Sequence, residues 1–139
     1  MKLLDVMEEV AVKLRAAPSL TGRTTAFIPG AIVAPAAMIG FPTDGTFDAT
    51  YGRGRDSMTL PVIVAIGRPT DASTAKRLAG YIDGSGPESV KALLDGDDDD
   101  YVSCDGVRVT GWETDVYPFG GVDHLVCVFP LEIYGPGEG

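Results

Sequence analysis

Apolar residues recur at three- and four-residue steps along the start of the chain: Leu3, Leu4, Met7, Val10, Ala11 and Leu14. This spacing predicts an amphipathic helix over residues 2–16 with that stripe buried. Asp5, Glu8 and Glu9 lie off the stripe or near its front, Lys13 and Arg15 follow, and Pro18 stops it. Two short strands are expected at Thr24–Ile28 and Ala36–Phe41, separated by turns at Pro29-Gly30 and Pro35. The run Thr59–Ile66 (TLPVIVAI) is apolar on both faces and reads as a strand covered on each side. Pro61 falls near its start, where a missing N–H costs least.

Asp71–Asp83 reads as a second helix, capped by Thr70 or Asp71, with Ala72, Ala75, Leu78, Ala79 and Ile82 as its buried stripe. Gly84-Ser85-Gly86 breaks the chain, and Pro87 opens a third helix to Leu94. Val107–Tyr117 and Val122–Tyr134 read as a long hairpin joined through Pro118–Gly121. In its second strand Leu125, Cys127, Phe129, Leu131 and Ile133 share the core face. In its first strand the alternation is lost at Gly111, which marks a bulge or bend. Residues 135–139 are expected to form a flexible tail.

The order is helix, short strands, long strand, two helices, long hairpin. Strands and helices are segregated, so the expected class is α+β. One domain spans residues 1–139, with a mostly antiparallel sheet of about four strands and the helices packed on one side.

Composition narrows the function. The net charge is −9, from 20 acids against 11 Lys and Arg. Such a surface repels phosphate backbones and anionic membranes. Two cysteines, Cys104 and Cys127, make no disulfide framework, and Cys127 falls in an apolar strand pattern. The first ten residues place acids where a secretion signal needs an apolar run. The long uncharged stretch from Thr24 to Thr43 carries Pro29, Pro35 and Pro42, which argue against a membrane helix. Synthesis in a reducing cytoplasm fits these features.

Candidate chemistry is sparse. Cys104, His124 and a carboxylate such as Asp123 or Asp105 hold the residue types of thiol catalysis, but no activating helix start precedes Cys104. Asp97–Asp100 lacks the alternating ligand spacing of a calcium loop and reads as a solvated acidic run. GRGRD at Gly52–Asp56 and GSGPESVK after Asp83 are incomplete as nucleotide loops and read as turns. No catalytic residue, metal or cofactor is expected. Arg53 and Arg55 are a local positive arm on an acidic chain. They are either solvated or paired with acids of a neighbouring subunit.

The stretch from Thr50 to Leu94 resembles the middle of the tail terminator (tail completion) proteins of long-tailed phages that infect actinobacteria. The likeness rests on the YGRG turn at Tyr51–Gly54, the TLPV start at Thr59–Val62 and the LAGYIDGSGPESVK run at Leu78–Lys91. VRVTGW…GGVDHLVCVFPLEI, from Val107 to Ile133, is similar in spacing, while residues 1–45 match in character more than in letters.

The resemblance implies a structural virion protein of the tail or neck, assembled in the host cytoplasm. It would form a ring, typically a hexamer in this family, that caps the tail tube and ends its polymerisation. Its partners would be further copies of itself, the major tail tube protein and the head–tail connector proteins. DNA would pass through without specific binding, and no membrane is involved. A head-to-tail ring needs two unlike complementary patches per subunit. The candidate interface residues are Arg53 and Arg55 with Ile32, Val33, Met38 and Phe41 of the proline-rich apolar segment. Six copies would carry about −54, and acids in the bore would keep DNA from sticking. A head-closure or adaptor neck protein and a small Cys/His hydrolase are the alternatives.

Overall fold

The computed structural model describes residues 2–27, 32–46, 55–97 and 99–136. Two long strands organise it. Arg55–Gly67 (β4) and Val122–Pro136 (β7) pair antiparallel along almost their whole length, from Arg55 opposite Pro136 to Gly67 opposite Leu125. Their alternate residues Leu60, Val62, Val64 and Ile66, with Cys127, Phe129, Leu131 and Ile133, are buried on one face. Period-two burial on both partners fixes the register, because a one-residue slip would turn this set to the other face.

Each long strand carries two short partners along its outer edge. Ala36–Ile39 (β2) and Asp44–Thr46 (β3) pair antiparallel with β4. Gly106–Val109 (β5) and Glu113–Phe119 (β6) pair antiparallel with β7. Thr24–Thr25 (β1) adds parallel to β2 at the far edge. The described residues thus form a mixed α+β fold with a seven-stranded sheet, in the order β1-β2-β4-β7-β5 with β3 and β6 alongside.

This corrects the expectation of about four strands, and the cause is local. Pro61 sits opposite Pro130 in the two central strands. The carbonyl of Pro61 accepts from Gly40 N (2.8 Å) and that of Pro130 from Thr110 N (3.1 Å), so both face outward. The N–H that proline lacks would point the same way. Each outer strand is interrupted there. From Ile39 to Asp44 the outer chain takes five steps against three in β4. From Val109 to Glu113 it takes four against three in β7. Gly111 falls inside the second interruption.

The tail differs too: Gly135 and Pro136 belong to β7, opposite Asp56 and Arg55, while residues 137–139 lie outside the described set. β6 and β7 meet at Gly120-Gly121, whose φ values of 60° and 80° suit a two-residue hairpin turn.

The helices Leu3–Leu14 (α1), Ala72–Ile82 (α2) and Val90–Leu94 (α3) contribute to one core with the Leu60–Ile66 face of the sheet. α1 buries Val6, Met7, Val10, Ala11 and Leu14. Leu4 lies outside the buried stripe, 61% exposed, and Val6 takes its place. α2 departs further from expectation. Ala72, Ala75 and Ala79 are exposed, Leu78 and Ile82 are half-buried, and Thr74 and Tyr81 face inward.

Polar anchoring explains that choice of face. Thr74 Oγ1 donates to Arg68 O (2.8 Å). The Tyr81 hydroxyl meets Ser19 Oγ (2.6 Å), and Ser19 donates to Glu88 through both N (3.0 Å) and Oγ (2.6 Å). Burial pushes the Tyr81 phenol upward. α3 starts later than Pro87: Ser89 caps it, accepting from Ala92 N and donating to Asp83 O.

Candidate subunit interface

The proline-rich segment after β1 supplies the first surface. Val33 is 72% exposed and Phe41, just past the end of β2, is 73% exposed. Ile32 is half-buried against a small cluster of Met38, Ala65 and Val126 on the sheet face away from the helices. Met38 itself is fully buried. It is therefore corrected from an interface residue to a core residue: β2 lies between β1 and β4, and Met38 packs over Ala65 beneath Ile32. Arg55 opens β4 opposite Pro136. Arg53 and the rest of the Gly/Arg turn lie outside the described residues.

A cleft of about 230 Å³ opens beside this segment, with Arg23, Thr25, Ile32, Val33 and Ala36 among its walls. Arg23 lines this cleft, and Arg15 lies on the helix side of β1. Arg15, at the end of α1, donates through Nη2 (3.0 Å) and Nε (3.3 Å) to Thr24 O. Arg23 donates Nη1 to Ala34 O (3.3 Å) and accepts Ala37 N at its own carbonyl (3.0 Å). Both side chains bond to backbone carbonyls, and neither is ion-paired among the described residues.

The opposite edge of the sheet presents a second surface. β6 is exposed from Glu113 to Pro118, with only Phe119 half-buried. On the far side of β7, β4 stops at Gly67 opposite Leu125, so the hairpin tip runs on beyond it. Trp112, Val116, Tyr117 and Val122 are exposed there. Glu113, Asp115 and Asp123 add three acids without an ion pair among the described residues. Sequence reasoning missed this surface. A signal was present, since the segment Glu113–Pro118 has no apolar residue at every second position to bury.

The catalytic alternative finds its residues apart. Asp105 N donates to Tyr134 O (2.7 Å), which places Cys104 by one end of β7. His124 stands near the other end, its ring edge-on to Phe119 at 5.6 Å and its Nδ1 within 2.8 Å of Val122 O. Ten strand residues separate these ends, roughly 30 Å. Both thiols are buried, and burial pushes each up to about 11.

The acidic run bonds internally: Asp97 N donates to Asp100 Oδ2 (3.1 Å) and Asp99 N to Asp97 Oδ1 (3.0 Å). Among the described residues no three His, Cys, Asp or Glu side chains group to hold a metal ion. No helix of the described residues is long and apolar enough to cross a membrane. No protein-family model matches the chain, and no curated protein is significantly similar to it.

Proposed function

We propose that this chain is a structural virion protein, a tail terminator that closes into a ring on the end of a phage tail tube and offers a surface for head–tail joining. One observation carries the reading. The two edges of the sheet bear unlike exposed apolar groups, Val33 and Phe41 by β2 and Trp112, Val116, Tyr117 and Val122 on the hairpin side. Unlike patches at opposite edges suit a head-to-tail contact that repeats around a ring, whereas a two-fold dimer would use one patch twice. The tail-terminator likeness of the Thr50–Leu94 stretch supplies the assembly in which such a ring would serve.

The acidic balance fits a bore that DNA passes without sticking. A head-closure or adaptor protein would use the same kind of ring and differ in where it binds. Antibody labelling of intact virions, with quantitative mass spectrometry of their proteins, tests the reading. The expected result is label at the junction of head and tail and a copy number near that of one ring. Label elsewhere, or absence of the chain from purified virions, overturns it.

A further inference from the structure

We infer that the acidic β6–β7 hairpin of one copy docks on the Arg23-lined cleft beside β1 and β2 of the next copy. This rests on the ring reading above and names the contact that would close the ring.

Three observations converge. The hairpin and the cleft lie on opposite edges of the sheet, as successive subunits in a head-to-tail ring require. Their charges are opposite: the hairpin carries Glu113 and Asp115 on one face, and Arg23 lines the cleft. Glu113, Asp115 and Arg23 are each without an ion pair among the described residues. The apolar parts match as well. Tyr117 shares the face of Glu113 and Asp115, because it pairs with His124 as Asp115 pairs with Val126. That face is the one on which the cleft opens, with half-buried Ile32 in its wall and exposed Val33 at its rim. Tyrosine and arginine are among the residues that most often carry the binding energy of an interface. Arginine is suited to this role, since its guanidinium can take a second acceptor while one N–H stays on a backbone carbonyl.

The test uses the full chain in three forms: Arg23→Glu, Asp115→Arg, and both together. Native mass spectrometry and sedimentation velocity read self-association, free and on tail tubes, and circular dichroism checks folding. Each single reversal is expected to weaken assembly at least about tenfold, and the double variant to recover most of it. Added salt should weaken wild-type assembly in the same direction, which gives a readout that needs no variant. If wild-type rings form but neither the reversals nor salt weaken them, the hairpin–cleft contact is overturned while the ring reading stands. If the singles weaken assembly and the double does not recover, the pairing of these two residues is overturned. If the wild type self-associates neither free nor on tubes, both fall.

Discussion

Pro61 faces Pro130 across the two central strands, and the ring of Pro61 also limits what the outer chain can place beside it. A Cβ added at Gly40 would come within 2.8 Å of Pro61 Cγ. Gly40→Ala should therefore destabilise the protein by about 1–3 kcal/mol through overpacking. Combined with Pro61→Ala, which removes the obstructing atom, the loss should be smaller than the sum of the single losses. Urea unfolding of the four proteins measures this. Additive losses would show that the contact does not limit Gly40.

The Ser19–Tyr81–Glu88 cluster ties the segment after α1 to α2 and to the chain before α3. Tyr81→Phe removes one hydroxyl while Ser19 keeps Glu88 as its acceptor. The expected cost is about 0.5–1.5 kcal/mol, the net value of one hydrogen bond with no polar group left stranded. Thermal or urea unfolding checks it, and an unchanged midpoint would mean the bond is replaced by water at no loss.

Glu9 links stability to pH. Burial alone would raise its carboxyl, but hydrogen bonds from the Ser103 side chain and backbone and from Val102 N outweigh that, and Lys13 adds to them, holding it below the ordinary value. A folded-state value below the unfolded one contributes stability above the unfolded value, and that contribution is lost as pH falls through the folded one. The stability gap between wild type and Glu9→Gln should be full at neutral pH and shrink on acidification below about pH 5. Urea unfolding at stepped pH measures the gap, and a gap that widens in acid would contradict the assignment.

Cys104 and Cys127 should be silent in the native state. Both are buried and held up to about 11, so little thiolate exists at pH 8 and little of either sulfur is reachable. A thiol reagent should modify neither until urea unfolds the chain. Fast modification of native Cys104 would show that the loop around it opens.

How much of this was legible in the sequence follows the strength of each local signal. The unbroken run Thr59–Ile66 and the alternation from Leu125 to Ile133 mark the central strands, because burial on a pleated surface imposes a period of two on residues strong enough to show it. The three- and four-step spacing in α1 was readable for the same reason, apart from the exchange of Leu4 for Val6. The outer strands were legible in part: Ala36–Phe41 and the loss of alternation at Gly111 mark β2 and the break between β5 and β6. The separate strand β3 was not, because the break before it depends on Pro61 lying opposite in another strand. α2 was read on its alanines, but Thr74 and Tyr81 win the inner face through hydrogen bonds to Arg68 and Ser19, which lie outside the helix. At the candidate interface Val33 and Phe41 were readable as apolar residues among prolines. Met38 was not separable from them, since its burial depends on Ala65 and Ile32. The hairpin surface was not legible as a contact surface, since exposure of both faces of β6 depends on where β4 ends beside β7.

The central claim is that this chain assembles into a ring that ends a tail tube. The most direct measurement is electron microscopy of tubes polymerised from the major tail tube protein with increasing amounts of this chain. The account predicts shorter tubes, each ending in an added ring of density. Tubes of unchanged length with bare ends at every ratio would contradict it.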